Sequence, residues 1–134
     1  MREAEFKVTE PTGAWTLPGI PQSAAIARQY VATACDGMPR SVIEDAQLLT
    51  SELVANAVLH GDGDVGLRVN EEPGFVHIEV SDTGEGAPGV TPAVEADTGG
   101  RGLFLVDALS SQWGVTPPHP GSGVKSVWFE LRQT

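Results

Sequence analysis

Residues 51–60, Ser-Glu-Leu-Val-Ala-Asn-Ala-Val-Leu-His, combine a helical pattern of apolar residues with a polar stripe. Glu52, Asn56 and His60 follow one another at intervals of four, so on an α-helix they form one slowly drifting polar row. Burying a carboxylate, an amide and an imidazole together costs free energy unless they bind something. A carboxylate and an amide oxygen one turn apart can hold a hydrated Mg²⁺ ion and orient a nucleophile. The segment therefore predicts a helix at a phosphate-handling site, with a solvated helix face as the alternative explanation of Glu52 and Asn56.

The overall composition limits the class of protein and its partners. The chain has 134 residues, of which 40% are hydrophobic, and it suits a single domain over 1–134. Its formal net charge of −10 argues against a nucleic acid or an anionic membrane as a direct partner. Helix N-terminal amides, a bound metal and one or two cations, such as Arg101 and Lys125, can still neutralise a triphosphate.

The sequence also carries signals of location. No apolar run approaches the roughly 18 residues that a membrane-spanning helix needs, and the charged N-terminus lacks the apolar stretch of a signal peptide. Cys35 is the only cysteine, which excludes an intrachain disulfide and a cysteine-based zinc site. We therefore expect a protein of the reducing cytoplasm.

Hydrophobic periodicity predicts three helices and six short strands. The helices are expected at 23 to about 35, at 41–60 and at 100 to about 110, and the second should begin with a capping box formed by Ser41 and Glu44 and end at Gly61. The strands are expected at 6–8, 14–17, 65–69, 75–82, 113–116 and 124–132. Helices combined with adjacent antiparallel strands predict an α+β, two-layer α/β sandwich, in which helices cover one face of a mixed, mostly antiparallel sheet.

The segment Asp82-Thr-Gly-Glu-Gly86 directly follows a predicted strand. Asp82 has the same parity as Val76, Ile78 and Val80, so its carboxylate should point inward at the end of that strand. Such a carboxylate can accept a hydrogen bond from an exocyclic amine, and the glycines let the backbone approach a flat ligand. A strand-ending turn with an acidic cap explains the same residues equally well.

A second glycine run, Gly99-Gly-Arg-Gly-Leu103, opens the third predicted helix after a Gly- and Pro-rich segment, 83–99, of the length of a lid. Free amides and the positive end of the helix dipole make such a start suitable for phosphate. A flexible hinge is the alternative. No Gly-Lys-Ser/Thr follows, so this is not a Walker loop.

Four other polar residues have ordinary structural explanations. His60 is interpreted as a structural residue at a helix end, and Arg28 as a surface charge. Lys125 and Ser126 either face a pocket or form an ordinary strand end, and parity does not decide between these because both faces of that strand carry apolar groups.

The order of these motifs resembles the GHKL ATPase superfamily, which includes DNA gyrase, MutL and the histidine kinases. Within it, two segments are similar to bacterial anti-sigma-factor serine kinases of the RsbW/SpoIIAB type, namely 51–60 and 100–106, Gly-Arg-Gly-Leu-Phe-Leu-Val. The similarity extends from about Leu17 to Leu131. It implies a Bergerat-type ATP-binding fold, with ATP and Mg²⁺ as cofactors.

The resemblance also implies roles for polar residues of the second predicted helix and of the strand predicted at 75–82. Glu52 would act as general base or orient the attacking hydroxyl, and Asn56 would be the ligand of Mg²⁺. Asp82 would bind the adenine amine, while Gly84 and Gly86 would shape the base pocket.

Further roles follow from the same resemblance. The phosphates would be held by the segment made of Gly100, Arg101, Gly102 and Leu103. Ser126 falls where the family often has a threonine near the adenine, and Arg28 lies on a helix that the family uses in partner contact.

The function implied is an anti-sigma factor that binds a sigma factor and phosphorylates a serine of an antagonist protein, with a homodimer as the common assembly. One departure matters, because 87–98 contains no Lys or Arg and carries Glu95 and Asp97. A non-catalytic ATP-binding module that sequesters a partner is therefore the alternative. A detached domain that phosphorylates a histidine ranks below both, since no phosphoacceptor helix pair precedes the motifs.

Overall fold

The computed structural model describes residues 13–61, 63–82, 98–116 and 125–133. The strand predicted at 6–8, most of the predicted lid, and Gly84 and Gly86 lie outside these residues. The described helices are α1 (Ser23–Ala34), α2 (Arg40–His60) and α3 (Thr98–Leu109). The described strands are β1 (Gly13–Leu17), β2 (Val65–Glu72), β3 (Phe75–Asp82), β4 (Gln112–Thr116) and β5 (Lys125–Arg132).

The described strands form one sheet in the order β1-β2-β3-β5-β4, and every neighbouring pair is antiparallel. A tight turn at Pro73 and Gly74 joins β2 to β3, and Gly74 has φ +89°, a conformation that glycine adopts without steric cost. Strand β5 then pairs along the full length of β3, which places β3 at the centre of the sheet.

Helices cover one face of the sheet, so the predicted two-layer α/β sandwich is confirmed. Val76, Ile78 and Val80 alternate along β3 and are buried beneath the helices, as the pattern of β3 predicts. The helices contribute Val31, Leu49, Leu53 and Val54 to the same core. Trp15 of β1 stacks on Tyr30 of α1, with ring centroids 4.8 Å apart and planes 6° apart, which fixes α1 over the edge of the sheet.

The start of α2 differs from the prediction. The capping box expected from Ser41 and Glu44 is wrong, because the helix begins at Arg40 and its N-cap residue Pro39 makes no side-chain cap. The carbonyl of Pro39 instead accepts hydrogen bonds from the amides of Val42 and Ile43, which brings Ser41 inside the first turn.

The other helix ends agree more closely with the sequence. Helix α2 ends at His60, with Gly61 following it as predicted, and α3 begins at Thr98, two residues before the predicted start. No helix in the described part of the chain is long and apolar enough to cross a membrane.

Candidate functional site

The C-terminal half of α2 carries the predicted polar row. Leu53, Val54 and Ala57 turn their side chains into the core, which leaves Glu52 and Asn56 half-buried beside it. Glu52 and Asn56 each take part in an interaction within the protein. Asn56 follows Glu52 by one helical turn, so both side chains can reach one bound group on the same side of the helix.

His60 ends this polar row. Its Nε2 atom is buried and has no hydrogen-bond partner among the residues that the structure describes. An unpaired buried nitrogen costs free energy, so it indicates a place where a ligand group or water can add a hydrogen bond. The interpretation of His60 as a purely structural residue leaves this atom unexplained.

Asp82 ends β3 on the helix-covered face, as its parity predicts. Its side chain is buried, and the residue is only 7% exposed. Cross-strand neighbours at this end of the sheet are Val65 on β2 and Lys125 on β5. The ammonium of Lys125 donates hydrogen bonds of 2.9 Å to Oδ1 and 2.8 Å to Oδ2 of Asp82.

Gly61 brings the end of α2 against the end of β3. A Cβ atom at residue 61 would lie 3.3 Å from Cγ of Asp82 and would also collide with the carbonyl oxygen of Ala57. The close approach therefore requires glycine, although its φ of −92° is an ordinary value. Through this contact the structure brings the α2 polar row and Asp82 to the same end of the molecule.

The glycine run that is predicted to bind phosphate lies at the start of α3, which begins two residues earlier than expected. A helix that begins at Thr98 leaves the amides of its first three residues, 98–100, without an acceptor within the helix. The backbone of Gly100 therefore presents a free N–H group, whereas the amides of Arg101, Gly102 and Leu103 lie at positions that bond within the helix. Helix α3 packs against α2, so its N-terminal turn belongs to the same layer as the polar row.

Ser126 is not brought together with Asp82. It pairs with Ser81, and both side chains point to the sheet face that the described helices leave open. There they line a shallow groove of about 440 Å³ together with Thr16, Gly66 and Glu79. This geometry does not support contact between Ser126 and a base held by Asp82, because the sheet separates them.

The open sheet face also carries a cluster that sequence reasoning missed. Nδ1 of His77 and Oε2 of Glu130 are 2.8 Å apart, and the His77 ring stacks on Trp128 with centroids separated by 5.1 Å. The sequence shows alternating polar residues on β3 and β5, but only the β3–β5 register shows that His77 and Glu130 are opposite each other.

Lys125 is the second feature that the register reveals. The sequence left its direction open, and the structure turns it inward to Asp82, away from the open face. Arg28, by contrast, is exposed on α1, as a surface charge should be. In the described part of the chain, no group of three or more His, Cys, Asp or Glu side chains could hold a metal ion. Mg²⁺ does not require such a group, because it is usually bound by one or two protein ligands together with water and phosphate oxygens.

A comparison with protein-family models agrees with this geometry. The model described as a histidine kinase-like ATPase domain matches residues 17–124, which is most of the chain. The chain belongs to this family.

Histidine kinase-like ATPase domains bind ATP, usually with Mg²⁺, and the family assignment accounts for a helix, a strand-end carboxylate and a glycine-rich helix start in one layer. A search of curated proteins found no match that would assign a partner or a reaction to this member of the family.

Proposed function

We propose that this histidine kinase-like ATPase domain is an ATP-dependent protein serine kinase that acts as an anti-sigma factor. The observation that supports it is the meeting of the α2 polar row with Asp82 at Gly61. Glu52, Asn56 and Asp82 then lie along one site, in the order in which a nucleophile, a metal-bound phosphate tail and a base would lie. The sigma factor and its antagonist follow from the resemblance of 51–60 and the α3 segment to that class of kinase.

In this proposal the base amine donates a hydrogen bond to Asp82, and the free amides at the start of α3 bind phosphate oxygens. A bound Mg²⁺ would supply charge neutralisation between phosphates, with Asn56 as its protein ligand. The oxygen of an antagonist serine forms a bond to the γ-phosphorus, and the bond from that phosphorus to the β–γ bridging oxygen breaks. The serine proton passes to Glu52, and ADP leaves.

The test is phosphoryl transfer from ATP labelled at its γ-phosphate to a panel of anti-sigma antagonist proteins, with Mg²⁺ present. We expect acid-stable label on serine with the wild-type chain. Glu52→Gln should retain ADP affinity while losing most of the transfer, because the amide cannot accept the proton. Glu44→Gln is the matched control, since Glu44 is an exposed carboxylate on the same helix and should leave transfer unchanged.

Two results would redirect the assignment. Full transfer by a folded Glu52→Gln variant would remove Glu52 from the mechanism, and acid-labile label would indicate histidine as the acceptor. Nucleotide binding without transfer to any antagonist would favour a non-catalytic module that acts by sequestering its partner. The absence of Lys and Arg from 87–98 is the feature that favours this second candidate.

A further inference from the structure

The ammonium of Lys125 occupies the carboxylate of Asp82, which is the group that the proposed function assigns to the nucleobase. The two residues are directly opposite each other in the β3–β5 register, and both point into the helix-covered layer. The ammonium donates hydrogen bonds of 2.9 Å to Oδ1 and 2.8 Å to Oδ2. Lys125 is only 9% exposed and Asp82 only 7%. Asp82 also takes part in a further interaction besides these two.

This geometry leaves little room for an additional donor at Asp82. A bidentate ammonium occupies the region between the two oxygens, and burial limits approach from other directions. Charge-assisted hydrogen bonds of this length are among the stronger ones in proteins, so a neutral amine does not displace the ammonium without cost. Within the described part of the chain, Asp82 is the only carboxylate paired with Lys125.

We propose that Lys125 is a built-in competitor of the nucleobase, whose ammonium must yield its place at Asp82 before a base amine can bind there. Lys125 thereby lowers the affinity of the site for nucleotide. This inference rests on the proposed nucleotide binding at Asp82. It differs from a purely structural role, in which Lys125 neutralises Asp82 and its loss weakens the fold without strengthening ligand binding.

The test measures the affinity of the full chain for ADP with Mg²⁺ by titration calorimetry. Lys125→Met keeps most of the aliphatic stem and removes the charge, and we expect it to bind ADP about tenfold more tightly. Lys125→Gln retains one neutral donor and should fall between Lys125→Met and wild type. Arg132→Met is the control, because it removes one positive charge from an exposed position on the same strand and should leave affinity unchanged.

Each outcome decides the inference. The affinity order Lys125→Met, Lys125→Gln, wild type supports competition, and so does binding by Lys125→Met where wild type binds none. If one variant does not fold, the other still has to bind more tightly than wild type. Wild-type binding with equal or weaker binding by the folded variants overturns the competitor role and leaves the proposed function intact. If neither wild type nor the variants bind ADP, the proposed function fails and the inference fails with it.

Discussion

At the scale of single residues, Asp82 is the side chain on which the proposed nucleotide binding depends most directly. Asp82→Asn replaces a charged acceptor by a neutral one, and a hydrogen bond to a charged group contributes about 1.5–3 kcal/mol. We expect the dissociation constant for ADP to rise roughly tenfold to a hundredfold, measured by calorimetry. Glu79→Gln is the control, because Glu79 is on the same strand but faces the open side. Unchanged affinity in a folded Asp82→Asn variant would contradict the assignment of the base to this carboxylate.

The buried position of Cys35 suppresses ionisation of its thiol. Burial, with a smaller contribution from the charge of Glu71, raises the pKa of its thiol from 9.0 to about 11. Between these values the unfolded chain has lost the thiol proton while the native chain keeps it. Stability therefore falls as pH rises from about 9 to 11, and the thiol contributes no such slope at lower pH.

The corresponding prediction compares wild type with Cys35→Ala by urea unfolding at a series of pH values. The unfolding free energy of wild type minus that of Cys35→Ala should be constant below about pH 8. It should fall by roughly 2–3 kcal/mol as pH approaches 11, because only wild type loses stability through the thiol. Other groups that titrate in this range are common to both proteins and cancel in the comparison. A difference that stays constant up to pH 11 would show that the thiol ionises equally in the two states.

At the scale of helices and strands, a feature could be predicted from the sequence when residues of a single segment determine it. The alternation of Val76, Ile78 and Val80 identified the buried face of β3 and placed Asp82 inward, because parity is set by one strand alone. The capping box at Ser41 is wrong although its spacing fits the motif, because the carbonyl of Pro39 accepts hydrogen bonds from the amides of Val42 and Ile43 and α2 therefore begins before Ser41. A capping motif therefore marks the start of a helix only when no preceding backbone carbonyl extends the helix past it.

The candidate site shows the same distinction between local and long-range information. Glu52, Asn56 and Asp82 were identified from their own segments, and the Gly61 contact brings the two segments together. The direction of Lys125 and the placement of Ser126 on the other face depend on the β3–β5 register. These strands are separated by more than 40 residues of chain, so neither strand pattern by itself sets their alignment.

At the scale of the whole molecule, the site and the stability of the fold are linked. Among the described strands, β3 has paired neighbours on both sides, whereas β4 pairs only with β5. Amides of β3 are therefore expected to exchange with solvent only when the domain unfolds, and those of β4 by local opening of the edge. A ligand that binds only the native state slows the first class and has little effect on the second.

Hydrogen exchange followed by mass spectrometry measures this difference between β3 and β4. At an ADP concentration of about 100 times its dissociation constant, with Mg²⁺, native stability should rise by about 2.7 kcal/mol. Peptides from β3 should then exchange about a hundredfold more slowly, while those from β4 change little, since edge opening leaves the nucleotide bound. Asp82→Asn at the same ADP concentration should show much less slowing in β3. Equal slowing of β3 and β4 would contradict local opening of the β4 edge with the nucleotide bound.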